Sequence, residues 1–178
     1  MDARVAELVR IGSDDALDAL YARYASEIQG VAFLILRDRF EAEDVMAETL
    51  ITAWRRGRDL RDGAALRPWL MRIATNHALA MRRNRRPVAA LPEVDLPAPD
   101  STGPLAGRIA LLAAVDRLPL EMRAAVVLHY YADLTVDEVA RALGKSPNTV
   151  KSQLRVGLEQ LRAAWDGGRA DRRFQDVG

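Results

Sequence analysis

The sequence predicts an all-α chain: two small helical domains joined by a Pro-rich linker, the second containing a helix-turn-helix. Three observations carry this expectation. Ala, Leu, Arg and Glu dominate while aromatic residues make up only 6%, a balance that suits helices better than sheet. Apolar residues recur at a 3.6-residue period on both sides of the chain's middle. Five of the eight prolines (Pro87, Pro92, Pro97, Pro99 and Pro104) crowd into residues 87–104, where missing N–H donors and the restraint on each preceding residue stop any helix.

In residues 1–86, Leu17, Leu20, Tyr21, Tyr24 and Ile28 keep the helical period after a candidate N-cap at Ser13. Val45, Thr49, Leu50, Ala53 and Trp54 mark a second helix, and Leu66 to about Arg83 a third. Residues 87–104 read as a linker, since so long a structureless stretch is unusual inside one compact domain. Fully extended, it reaches about 65 Å, close to roughly 18–19 base pairs of B-DNA. In residues 105–165, Ile109 to Val115 and Glu121 to Tyr131 are predicted helices split by Leu118-Pro119. Thr135 and Glu138 form a T-x-x-E capping box opening a short helix through Leu143, with Gly144 as its exit. Ser146 then caps a longer helix whose first position is Pro147. Residues 166–178 are expected to fray.

Charge sharpens this outline. Residues 1–62 carry a net of −4. Residues 63–92 hold 6 arginines (Arg67, Arg72, Arg82, Arg83, Arg85, Arg86) and no acid. The next segment, 93–140, returns to −5, and 141–178 to +4, although the whole chain sums to only +1. Two separated basic blocks on helices point to nucleic acid. With no cysteine, disulfides, thiolate metal sites and cysteine nucleophiles are excluded. No secretion signal and no membrane-length apolar run is evident, so a soluble, cytoplasmic protein without membrane insertion is expected. His77 and His129 sit in apolar surroundings and read as packed core residues. Neither a phosphate-binding glycine loop nor metal-ligand spacing appears, so no cofactor and no enzyme activity are expected.

Three segments carry chemistry. On the helix after Pro147, Val150, Leu154, Leu158, Leu161 and Trp165 share one arc, while Asn148, Lys151, Ser152 and Arg155 share another. A recognition helix needs that split: one face packs, the other meets bases and phosphates. On helix 66–83, Leu66, Trp69, Leu70, Ile73, Ala74, His77 and Met81 fill about 140°. Arg72, Thr75, Asn76, Arg82 and Arg83 lie opposite, a cationic ridge suited to a phosphate backbone. The third segment is acidic, Glu41, Glu43, Asp44 and Glu48. It favours either a helix dipole or a basic protein partner.

EAEDVMAETLITAWRR, LRPWLMRIATNHALAMRRNRR and LTVDEVARALGKSPNTVKSQLRVGLEQLR resemble, in order, the signatures of extracytoplasmic-function (ECF) sigma factors of bacterial RNA polymerase. The likeness covers about residues 15–86 and 105–165. It implies that residues 41–56 dock on the clamp of core RNA polymerase through Glu41, Asp44 and Glu48. Helix 66–83 and the loop before it (Asp59 to Ala65) would open and read the −10 promoter element, with Arg67, Trp69, Arg72, Asn76, Arg82 and Arg83 as its contacts. The helix from Pro147 would enter the major groove at the −35 element through Ser146, Asn148, Thr149, Lys151, Ser152 and Arg155. The linker would thread along the core enzyme, its acids Glu93, Asp95 and Asp100 meeting basic groups. An anti-sigma protein is a further implied partner.

This chain departs from the family at Ala47, where the clamp-docking motif usually has Gln. Gln153 and Val156 stand where relatives often place basic residues. GKSPNTVKSQL also resembles the DNA-binding domain of LuxR-type regulators, which act without polymerase, but residues 1–86 lack the strand–helix alternation of a receiver. A helical enzyme built on the acidic cluster is the third reading.

Overall fold

The computed structural model describes residues 2–84 and 104–175, and regular structure there is helical throughout. Arg85, Arg86, linker residues 87–103 with Glu93, Asp95 and Asp100, and residues 176–178 lie outside that description. So do the side chains of Trp165 and the residues after it.

Helix α1 (Asp2–Ile11) was not foreseen from the sequence. It buries Val5, Ala6 and Val9, too short an apolar set to announce a helix alone. Ser13 does not cap the next helix. It stays in the connecting turn, its Oγ accepting from the Asp15 amide at 3.3 Å, and Asp15 takes the N-cap position of α2 (Ala16–Leu36). Leu20, Tyr24, Ile28, Val31 and Ile35 of α2 are fully buried, whereas Tyr21, at the rim of that arc, is 60% exposed. The apolar face is thus narrower at its N-terminal end than the period implied. Burial, with the Asp2 carboxylate nearby, pushes the Tyr24 hydroxyl up to about 12.

A sharp corner follows. Arg37 adopts a left-handed conformation (φ 60°) and its amide donates to the Phe33 carbonyl at 2.8 Å. Asp38 then caps α3 (Arg39–Arg55), accepting from the amides of Phe40 and Glu41 at 2.9 and 3.1 Å. Helix α3 buries Val45, Thr49, Leu50 and Ala53, with the Thr49 hydroxyl donating back to the Val45 carbonyl at 2.6 Å. Trp54, expected with that set, is partly exposed.

The loop to the next helix contains two single 3₁₀ turns, Gly57–Asp59 and Gly63–Ala65, both packed on α1. Gly57 is obligatory there: a Cβ would lie 2.0 Å from the Val9 carbonyl oxygen. Helix α4 (Leu66–Asn84) packs on α2 and α3. Its buried arc differs from the expected one: Met71, Thr75, Ala78 and Leu79 are buried beside the expected Leu66, Leu70, Ile73 and Ala74, whereas Trp69, His77 and Met81 are only half-buried. Thr75 is therefore not on the cationic face. Three packing partners, rather than one, close around α4 and enclose it.

Helix α5 (Pro104–Arg117) begins on Pro104 itself, which suits a first helical position. Leu118-Pro119 breaks the chain before α6 (Leu120–Val126), which continues as a π-helical turn over Val127–Tyr131. Helix α7 (Val136–Leu143) opens with the expected capping box. The Glu138 amide donates to Thr135 Oγ1 at 3.3 Å, and the Thr135 amide to Glu138 Oε2 at 2.8 Å. It exits through Gly144 at φ 64°. Helix α8 (Pro147–Gln175) runs ten residues past Trp165, so the tail expected to fray continues as helix: no proline interrupts it. The two halves share one continuous apolar core, with α7 packed on α4 and the π turn on α2.

Candidate nucleic-acid interface

Helix α8 presents the division the sequence implied. Val150 and Leu154 are buried, while Asn148, Lys151, Ser152 and Arg155 stand exposed on its first turns. Ser146 Oγ accepts from the Thr149 amide at 3.1 Å and meets the Thr149 hydroxyl at 2.8 Å. These two candidates thus also build the helix start. Amides near that terminus favour an anion in front of it. Arg155 bonds Glu159 at 2.9 Å one turn on, an exposed pair that a phosphate or base edge can replace. Gln153 and Val156 are half-buried, away from this face.

On α4 the open face is narrow and holds Arg72, Asn76 and Arg83, while Trp69 is half-buried at its edge and packs on the core. Arg82 is half-buried. Arg67 does not join the face, because its guanidinium is held by Glu27 of α2 and donates to the Ala132 carbonyl at 2.5 Å. Arg83 pairs with Glu121 of α6 at 2.7 Å. Arg56, Trp69, Arg72, Asn76, Arg141 and Gly144 line an open cleft of about 370 Å³ between α4 and α7. Sequence reading missed Arg56 and Arg141. They are far from the arginine run in the chain, and only the fold brings them to it.

The acidic strip lies along α3. Asp44, Glu48, Glu43 and Ala47 are exposed, and Glu41 is half-buried in the first turn. Phe40, beside them, is 80% exposed. An apolar ring set among acids suits a protein partner better than a duplex; its place right after the Asp38 cap was the available signal. The histidines are half-buried rather than fully enclosed. His129 Nδ1 lies 2.7 Å from the Leu134 carbonyl, and His77 lines the groove between α3 and α4. Among the described residues no three His, Asp or Glu side chains gather as a metal site, and no helix is long and apolar enough to cross a membrane.

These surfaces coincide with two family matches. The family model described as Sigma-70 region 2 matches residues 20–88, and that described as Sigma-70, region 4 matches residues 108–161. The chain is 34% identical over 144 residues to the ECF RNA polymerase sigma factor SigM of Mycobacterium tuberculosis, covering 80% of this chain and 73% of that one. The chain belongs to the ECF sigma factors. It is also 33% identical over 162 residues to the RNA polymerase sigma factor CarQ of Myxococcus xanthus, covering 88% of this chain and 92% of the relative. The fold resembles CnrH, solved with the cytosolic domain of CnrY, at a TM-score of 0.70 and 24% identity over 93% of this chain and 97% of that one. It also resembles RpoE of Bartonella quintana, solved with the anti-sigma factor NepR, at 0.68 and 21% over 85% and 98%. As an ECF sigma factor the chain is a polymerase-binding promoter-specificity subunit and not an enzyme. A region 2 match in the first half leaves the LuxR-type reading without support.

Proposed function

We propose a division of labour among three surfaces of this sigma factor. The α3 strip of Glu41, Asp44 and Glu48 docks on core RNA polymerase. The open face of α4, with Trp69, Arg72, Asn76 and Arg83, takes the −10 element. The start of α8, with Ser146, Asn148, Thr149, Lys151, Ser152 and Arg155, takes the −35 element. Residues 1–86 and 105–165 act as the two promoter-reading domains, with 87–104 running between them. The work is done in the cytoplasm, with an anti-sigma protein as a further partner; RpoE of Bartonella quintana, which shares this fold, was solved with the anti-sigma factor NepR.

The observation that carries this reading is the capped start of α8. Six polar or basic side chains stand exposed there, while Val150 and Leu154 on the opposite face are buried. Melting at the −10 element needs no nucleotide hydrolysis, because unstacking costs a few kcal/mol per base. Stacking on an aromatic returns about 1–3 kcal/mol per base, and Trp69 beside Arg72 offers such a place. Arg67 serves by positioning, tying α4 to α2.

Run-off transcription with core enzyme on genomic fragments tests the whole reading: selective initiation is expected, and initiation no more selective than core alone overturns it. Asp44→Arg with Glu48→Arg is expected to abolish co-elution with core while leaving the circular dichroism spectrum unchanged. Undiminished co-elution would remove the docking assignment.

A further inference from the structure

Helix α1 belongs to none of the three surfaces, and the region 2 match begins only after it, at residue 20. Its packing shows what it holds. Val5, Ala6 and Val9 are buried, and α1 rests on both 3₁₀ turns of the loop between α3 and α4 as well as on α2. The fit is closest at Gly57, where a Cβ would meet the Val9 carbonyl oxygen at 2.0 Å. At Gly63 a Cβ would lie 3.2 Å from that of Ala6. Gly57 and Leu60 are the buried underside of the loop, whereas Asp59, Arg61 and Asp62 stand exposed on it.

The loop has little of its own to hold this shape. The bonds that close its turns are local. The Leu60 amide donates to the Gly57 carbonyl and the Ala65 amide to the Asp62 carbonyl, each at 3.0 Å, and Asp62 Oδ1 accepts from the Ala64 amide at 2.9 Å. Arg56 and Asp59 pair across one turn at 2.9 Å, both exposed. A single turn fixes several backbone angles for one bond, which is unfavourable in isolation, and an exposed pair adds little. What fixes the loop is therefore the apolar ledge that α1 sets beneath Gly57 and Gly63.

We propose that α1 is a splint for the loop that reads the −10 element: Ala6 and Val9, acting through Gly63 and Gly57, are positioning residues that set Asp59, Arg61 and Asp62 against the displaced strand. This rests on the assignment of loop 59–65 to the −10 element and adds what holds that loop in place. Recognition groups must stay within about 0.5 Å of their productive geometry. A mismatched base gains nothing from the loop, so a loosened loop weakens the matched promoter alone. The signature is a lost ratio between promoters, whereas general destabilisation lowers both in proportion.

Ala6→Leu tests this, because it crowds α1 against Gly63 and leaves every loop residue in place, and leucine suits a helix. In the full free chain, hydrogen exchange at the Leu60 and Ala65 amides is expected to quicken roughly tenfold or more. In holoenzyme, the probe is a fork-junction duplex carrying the promoter selected by run-off transcription, or that promoter with one −10 base replaced. The matched-to-mismatched binding ratio is expected to fall roughly tenfold toward one, as the competent loop drops to about a tenth of the molecules. Co-elution with core is expected to persist. Val126→Ala, a truncation of a buried residue in α6, is expected to lower thermal stability without moving the ratio. Unchanged loop exchange, faster exchange with the ratio intact, or an equal loss of ratio in Val126→Ala overturns the splint. Should Ala6→Leu fail to fold, Val9→Ala, which removes a contact instead of crowding one, is read in the same way. Arg61→Ala separates the two readings. If it lowers the ratio and Ala6→Leu does not, the loop reads the element unaided and only the splint falls; if neither lowers it, the loop assignment falls and the splint with it.

Discussion

Arg123, only 5% exposed, donates to the carbonyls of Ile35, Asp116 and Leu118 and pairs with the Asp116 carboxylate at 3.0 Å. Those carbonyls lie in or just after the last turns of α2 and α5, where no helical amide follows to satisfy them. One guanidinium thus supplies donors to two helix ends and sits favourably at both negative poles. Burial lowers its pKa below the ordinary range, while the Asp116 charge opposes that shift. Nothing in the sequence marks this arginine, because its partner Ile35 is 88 residues away. Arg123→Ala is expected to cost on the order of 3 kcal/mol in urea denaturation, since it strands buried acceptors; a loss under about 1 kcal/mol would show that water replaces it. Arg155, by contrast, was legible from spacing alone, and its exposed pair with Glu159 contributes little to stability. Arg155→Ala is expected to leave the melting temperature unchanged and to cost about 1–3 kcal/mol of discrimination at the upstream element, the range for a bidentate base contact. An equal loss on scrambled duplex in a gel shift would reassign Arg155 to the DNA backbone.

At the scale of elements, local chemistry decided what could be read. The T-x-x-E box before α7, Gly144 after it and Ser146-Pro147 before α8 are signals contained within a few residues, and the structure carries each of them. Helix α1 and the burial of Thr75 depend on long-range packing, so neither was legible. The faces of α4 fall between these cases. A single amphipathic arc was the natural reading, but α2, α3 and α7 enclose the helix from several sides. Its open cationic strip shrinks to Arg72, Asn76 and Arg83, with Trp69 half-buried beside it. The α8 start couples stability to binding, because Ser146 both caps the helix and stands among the residues assigned to DNA. Two substitutions separate those roles. Ser146→Ala loses the cap and is expected to cost about 1 kcal/mol in thermal unfolding. Ser146→Asp keeps an acceptor for the Thr149 amide and should hold stability near wild type, yet its charge faces phosphate and should weaken duplex binding. If both variants bind duplex equally well, Ser146 acts only as a cap.

For the molecule as a whole, the question is what keeps its halves together, and charge patterning gave only part of the answer. The alternation of acidic and basic segments was read as an address for external partners. Within the fold some of those charges meet one another: Glu27 with Arg67, and Glu121 with Arg83 and Lys145. Hydrogen bonding and charge from Lys145, then from Arg83, hold the Glu121 carboxyl below its ordinary value of 4.5, burial opposing. A carboxylate whose folded pKa is depressed stabilises the folded form above its unfolded value, and that contribution disappears as pH falls through 4.5 and then through the folded value. Wild-type thermal stability is therefore expected to decline on acidification more steeply than that of Glu121→Gln, which has no proton to take up at this position. Because Glu121 is partly exposed, added salt should narrow the gap between the two proteins. Superimposable acid limbs for the two, measured at low ionic strength, would mean that the Arg83–Glu121–Lys145 bridge adds nothing to stability and that apolar contact, with the hydrogen bonds of Arg67 and Arg123, joins the halves.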